Sequence, residues 1–169
     1  MKFTTCFAFL IIVLCAQGQD SAQLKRKPYK LTVAVDKSTF YEEEIKSTPY
    51  VMPDNTVQLY PNETVYIEVE EDNGNIKSMK AVKDISNPTK TLTISFIQTT
   101  NKKVHEQMML KVINPFKQKL VYKATIYLMK QNKWVVTNVY PVEAELSGFE
   151  TWPDIITSIG LGQWTFQSK

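Results

Sequence analysis

Few residues in this chain of 169 are placed to do chemistry. His105 is the sole histidine. A Ser-His-Asp or Cys-His arrangement has to use it, and no Gly-x-Ser-x-Gly elbow accompanies it. It follows the lysine-rich stretch Thr100-Asn101-Lys102-Lys103, which reads as a turn between strands, so the expectation is an exposed, ordinary histidine. The two cysteines, Cys6 and Cys15, both lie in an N-terminal apolar stretch. One histidine without further cysteines offers too few donors for a tight zinc or copper site, and no glycine-rich phosphate loop is present. Glu150 and Asp154 flank Trp152, the layout of an acid pair beside an aromatic platform in a glycosidase, where the carboxylate separation decides the mechanism. Glu42-Glu43-Glu44 is an acidic run, but neighbouring carboxylates in a strand point to opposite faces and no calcium-loop spacing surrounds them. It reads as a solvated connection. The chain is expected to be non-enzymatic, with no cofactor and no metal implied.

Residue types suited to recognition are better represented. Phe149, Trp152, Trp164 and Phe166 fall within the last twenty-one residues, denser than elsewhere. Aromatic anchors are frequent interface hot spots, which makes these four the candidate partner-binding residues. The competing role for them is to plug one end of the fold. A free strand edge, open to pairing with another chain, is a second mode of recognition. The net charge is +3 at pH 7. A charge that small supports neither nucleic-acid binding nor steering of acidic substrates.

Met1-Lys2 supplies a positive start, Phe7 to Cys15 is an uninterrupted apolar run, and Ala16-Gln17-Gly18 offers small residues for a peptidase. Residues 1–18 therefore read as a secretory signal peptide, with an apolar core too short to span a bilayer. The expectation is an exported protein, periplasmic or secreted, with no transmembrane segment. A lipid anchor on Cys15 is the minor alternative, because the bulky Leu14 precedes that cysteine. Removal of 1–18 leaves no cysteine, which leans toward a bacterial periplasm or surface rather than a disulfide-bearing secreted domain. Asn62-Glu63-Thr64 matches a glycosylation sequon, a tripeptide frequent by chance.

Residues 19–28 read as a flexible leader in which Lys25-Arg26-Lys27 is solvated, and 29–169 as a single domain. Leu31, Val33 and Val35 alternate with polar neighbours, the pattern of a half-buried strand. Val65, Ile67 and Val69 lead into Asp72-Asn73-Gly74. A three-residue loop there predicts Ile67 opposite Met79 and Val65 opposite Ala81. Leu92, Ile94 and Phe96 form the next buried face, then Met108, Leu110 and Val112. Asn114-Pro115 ends that strand, since Pro115 donates no N–H and holds Asn114 extended. Leu120, Tyr122, Ala124, Ile126 and Leu128 form the longest clean alternation. Trp134-Val135-Val136 is apolar on both faces and reads as a central, doubly covered strand. Pro153-Asp154 suits a first helical turn, and Ile155, Ile156 and Ile159 at helical spacing predict a short helix over 153–159. Gln163 to Gln167 reads as a final short strand.

Eight or nine strands at regular spacing predict an all-β, immunoglobulin-like antiparallel β-sandwich without a disulfide, with Trp134, Tyr122 and Phe96 in its aromatic core. An up-and-down β-barrel is the alternative. In strand rhythm the chain resembles exported bacterial immunoglobulin-like modules, including pilus-chaperone-like domains, although no motif matches residue by residue. The functional expectation is a binding protein that acts on another protein or an envelope component, as an assembly factor, inhibitor, immunity protein or accessory subunit. A carrier of a lipid or small apolar ligand is the competing class, and a hydrolase using Glu150 and Asp154 the third.

Overall fold

The computed structural model describes residues 23–167. The signal peptide expected over 1–18 and the first residues of the leader lie outside the described residues. Eleven strands follow in order: β1 (Tyr29–Ala34), β2 (Phe40–Ile45), β3 (Val57–Leu59), β4 (Glu63–Asp72), β5 (Asn75–Val82), β6 (Thr91–Asn101), β7 (Val104–Ile113), β8 (Lys119–Leu128), β9 (Lys133–Thr137), β10 (Ser147–Trp152) and β11 (Ile156–Gln167). Two single 3-10 turns, Pro88–Lys90 and Met129–Gln131, interrupt them.

Alternation decides which face each strand buries. Val65, Ile67 and Val69 of β4, Leu92, Ile94 and Phe96 of β6, and Met108, Leu110 and Val112 of β7 are almost wholly buried. They project from a five-stranded sheet of order β10-β7-β6-β4-β5. Opposite them, Leu120, Tyr122, Ala124, Ile126 and Leu128 of β8 join Ile159 and Leu161 of β11, from a four-stranded sheet of order β3-β11-β8-β9. All pairings are antiparallel. The two sheets face each other as a sandwich, and the barrel alternative is not formed. Burial of each Val, Leu, Ile, Phe or Met in this layer favours folding by about 1.5–3 kcal/mol, most of it offset by the entropy of ordering the chain. The separate hairpin β1–β2 buries Leu31, Val33 and Ile45 against Ile155 in a core of its own.

Three expectations are corrected. No helix forms over 153–159: β11 begins at Ile156. A bulge between Ile156 and Ser158 inserts one residue, so Ile156 and Ile159 both face the core at a spacing that reads as helical. The β4–β5 hairpin closes on the two residues Asn73-Gly74, with Asp72 opposite Asn75, and a bulge after Glu70 shifts the register. Ile67 therefore faces Ala81, and Val69 faces Met79; apolar residues still meet apolar ones, two positions along from the expected partners. The third correction concerns β9, an edge strand with Trp134 and Val136 exposed. Phe96 and Tyr122 do occupy the core, and Trp134 does not.

The Asn114-Pro115 break does more than end a strand. Asn114 is fully buried, and its side-chain amide donates to the carbonyls of Gln118, Val142 and Glu143 while its oxygen accepts from the Phe116 N–H. One asparagine thus fastens the β7–β8 turn to the segment that crosses between the sheets.

Candidate functional site

The structure separates the four aromatic candidates. Trp164 lies inside, 7% exposed, stacked on Tyr122 at 4.9 Å between ring centroids. Its indole N–H donates to the carbonyls of Asn55 and Leu161 at 3.1 Å. A second bulge, between Gly162 and Thr165, turns it inward with Gln163 in the left-handed region at φ 53°. Phe166 packs on Phe116 at 4.7 Å at the rim of the core. Trp152 is half-buried at the end of β10, and its N–H donates to Thr137 Oγ1. Phe149 alone is well exposed, at 56%. Its ring lies 5.5 Å from the ammonium of Lys111, its cross-strand neighbour on β7.

Phe149 has company that the sequence reading did not assign to it. Among the described residues seven large hydrophobic side chains are exposed, and five of them fall between 134 and 149: Trp134, Val136, Tyr140, Leu146 and Phe149. β9 and β10 are edge strands of opposite sheets. The chain between them crosses from one sheet to the other along one side of the sandwich, as a strap. Val142 on this strap bridges to Leu120, the Tyr140 N–H donates to Glu150 Oε1 at 2.6 Å, and Val142 packs where a Cβ on Gly148 would sit 2.6 Å away. The strap is therefore fixed at its backbone while Tyr140, 81% exposed, points into solvent. Signals of an edge were present in the sequence. β9 is only five residues long, it opens on a lysine, and Pro141 follows four residues after its end.

The chemical candidates occupy structural positions. The Glu150 carboxylate caps the strap through Tyr140, and Asp154 is exposed beyond the end of β10. His105 is half-buried rather than exposed: its Nε2–H donates to the Pro153 carbonyl at 3.1 Å, and Nδ1 accepts from the Gln98 amide at 2.9 Å. Gln98 also pairs with both backbone groups of Ala34, so Gln98 joins the β1–β2 hairpin to the larger sheet and the histidine fastens Gln98 to the end of β10. The Glu42-Glu43-Glu44 run lies on exposed β2, where Glu42 pairs with Lys30 at 2.8 Å and Glu43 accepts from the Tyr41 hydroxyl at 2.7 Å. Burial, reinforced by that carboxylate, pushes the Tyr41 hydroxyl up to about 12. Among the described residues no group of three or more His, Cys, Asp or Glu is placed to hold a metal ion.

Arg26 overturns the expectation of a wholly solvated Lys25-Arg26-Lys27 cluster. Lys25 and Lys27 are exposed, but Arg26 is 2% exposed. Its Nε lies 3.0 Å from Glu63 Oε1, its guanidinium also donates to Thr48 Oγ1 and the Gln58 carbonyl, and it sits over the rings of Tyr50 and Tyr60 at 4.5 and 4.9 Å. Glu63 accepts in turn from the Tyr29 hydroxyl and the Tyr60 N–H. Tyr29 is held well above the usual phenol value by burial first and then by the charge of Glu63. A buried charge paired on every side is what low-dielectric burial demands, and the partner 37 residues away was not visible in the local sequence. The sequon is part of the same corner, where Asn62 adopts φ 69° and its side-chain oxygen accepts from the Gln98 N–H. No protein-family model, curated protein or solved structure significantly matches this chain.

Proposed function

We propose that the protein is an exported, non-enzymatic binding module that docks another protein against the side formed by β9, the strap and β10. The apolar run from Phe7 to Cys15, after a lysine at position 2, supports export. The observation that carries the docking reading is that Tyr140, Leu146 and Phe149, three of the seven large hydrophobics exposed among the described residues, fall on the strap and β10, where the outer edges of β9 and β10 carry no further strand. Scattered single apolar residues are normal on a surface; a concentration of them on one side is the mark of an interaction site. Tyr140 and Phe149 supply rigid aromatic area at low entropic cost, which suits anchors. The competing reading, a carrier of an apolar ligand between the sheets, finds little support in a core filled by Phe96, Met108, Leu110, Leu120, Ile126 and Leu161.

The test is retention of a partner from the native envelope fraction on immobilised protein, compared with the Tyr140→Ser/Phe149→Ser double variant. The expected result is a defined protein held by the parent chain and lost by the variant, with the folded spectrum of the variant unchanged. Equal retention by both would overturn the assignment of this side. Co-purification of a stoichiometric apolar small molecule, seen by native mass spectrometry, would favour the carrier.

A further inference from the structure

We infer that the outer face of the four-stranded sheet is a carbohydrate-binding trough centred on Trp134, and that its ligand is a neutral oligosaccharide. This site is independent of the protein-docking side and does not rest on it.

The trough is built from three adjoining recesses. The first, about 230 Å³, lies between the β1–β2 hairpin and the sheet and is lined by Tyr41, Tyr60, Tyr127, Trp134, Gln58 and Asn132, among others. A second of about 230 Å³ shares Trp134 and Gln58 with the first. The third, about 340 Å³, shares Thr56, Thr125 and Gly160 with the second and continues to Asp54 and Lys123. Along β11 the floor runs from Ser158 through Gly160 to Gly162, which spans about 13 Å at the rise of a strand. That length accommodates a short chain of sugars rather than a single ring. The wall on the hairpin side is held by the packing of Leu31, Val33, Ile45 and Ile155, with Tyr41 and Met129 against them.

Trp134 is the feature that points to a sugar. Its ring meets Tyr127, its direct cross-strand partner, edge to face at 5.4 Å and 66°. The Tyr127 hydroxyl donates to Asn132 Oδ1, so the stacking partner is itself fixed. Nearly half of the Trp134 residue remains in solvent, at 48%. A half-exposed indole set against a second ring offers an apolar face to the C–H face of a pyranose, while polar groups around it can meet the hydroxyl rim. Those groups are present. Gln58 donates to Ser158 Oγ at 3.0 Å and reaches the Tyr60 hydroxyl at 3.5 Å, and Asn132 and Glu43 line the same recess. One carboxylate oxygen of Glu43 accepts from Tyr41, and a carboxylate has acceptor capacity beyond a single bond for vicinal hydroxyls. The charged lining is Glu43 and Asp54 against Lys123, with no cationic excess to select a phosphate or a polyuronate. The floor is kept low: a Cβ on Gly160 would lie 3.1 Å from Thr125 Oγ1, and one on Gly162 3.0 Å from Thr56 Oγ1.

The test titrates the mature chain with hexasaccharides of β-glucan, chitin, mannan and xylan, with an alginate hexasaccharide as the anionic control. Calorimetry and tryptophan emission are read together. At least one neutral hexasaccharide is expected to bind saturably with a dissociation constant below about 1 mM, to shift the emission, and to perturb the backbone resonances of Thr125 and Gly160 in the unmodified protein. Trp134→Ala is expected to weaken that binding about tenfold or more, the scale of one aromatic stacking contact. Trp134→Tyr recovers part of the loss, and Phe149→Ser leaves the affinity unchanged. Absence of saturable binding to all four neutral probes overturns the inference, as does binding of alginate alone, or equal binding by Trp134→Ala. Retention of the protein partner by Trp134→Ala, with loss on Tyr140→Ser/Phe149→Ser, keeps the two sites distinguishable whichever fails.

Discussion

On the side of the sandwich where β3 faces β5, successive contacts cover both edges. Residues 49–51 run alongside β3, with Val51 bridged to Val57 and the Gln58 N–H donating to the Tyr50 carbonyl. Residues 24–26 run alongside those in turn, through Arg26 to Thr48 and Tyr50 to Leu24. On β5 the Met79 N–H donates to Asn55 Oδ1 and its carbonyl accepts from Gln23. The opposite side, where β9 faces β10, is crossed by one strap and leaves Val136, Tyr140, Leu146 and Phe149 exposed. Both sides are rich in aromatics. On the covered side Tyr50 and Tyr60 lie against Arg26; on the other Tyr140 and Phe149 face water. Unpaired edges invite association, and this chain conceals one pair of edges while leaving the other open. That asymmetry is what supports the β9–β10 side as the proposed docking surface.

Closure of the covered side depends most on Arg26. Arg26→Met leaves the Glu63 carboxylate buried without its main partner, and the expected loss is about 3–5 kcal/mol, the scale for half of a broken buried pair. Urea unfolding at neutral pH measures it. Addition of Glu63→Leu should restore part of the loss, because two apolar residues remove the stranded charge. A loss below about 0.5 kcal/mol for Arg26→Met would mean that the covered side is closed by backbone pairing alone.

A second effect is set by pH. Burial, and then the charge of Glu150, raises the Tyr122 hydroxyl above its ordinary value, and Tyr29 is raised by burial and then Glu63. Both phenols stay protonated in the folded chain at pH values where the unfolded chain releases the proton. The stability they contribute is therefore complete below the unfolded value of about 10 and is lost as pH rises above it through the folded values. Urea midpoints should fall between about pH 8 and about pH 11, with phenolate absorbance from these two residues appearing only with unfolding. Constant midpoints across that range would mean that burial of these two phenols does not bear on stability.

Much of the fold was legible because alternation is a local property. β6, β7 and β8 could be placed from Leu92 to Phe96, Met108 to Val112 and Leu120 to Leu128, and the structure buries those faces. The misreadings share a physical origin. A bulge adds one residue and inverts the parity on which the reading depends. It did so in β11, where Ile156 and Ile159 mimic a helix, and in the β4–β5 hairpin, where the register moves two places. Trp134 was misplaced because the local signals of an edge around β9 are weak, whereas its position is fixed by strand order, a long-range property. Arg26 was hidden for the same reason, since its partner Glu63 is remote in the chain. Of the candidate site, Phe149 was found by aromatic density, whereas Tyr140 and Leu146 became visible only through their exposure on the strap.

The smallest effect on stability is expected where the effect on binding is largest. Tyr140→Ser and Phe149→Ser remove side chains that solvent already covers, so each should change the free energy of unfolding by no more than about 0.5 kcal/mol. Trp164→Ala removes a residue of similar kind from inside, with its stack on Tyr122 and two hydrogen bonds, and about 3–5 kcal/mol is expected. Three urea curves on otherwise identical chains decide the matter. If Phe149→Ser cost as much as 2 kcal/mol, its ring would be serving the fold through Lys111 and β7 rather than a partner. If Trp164→Ala cost as little as the two surface changes, the buried indole would be dispensable and the contrast between the sides would collapse. A near-zero cost at Tyr140 and Phe149, set beside a large one at Trp164, is the result expected when exposed aromatics are kept for recognition and buried ones for stability.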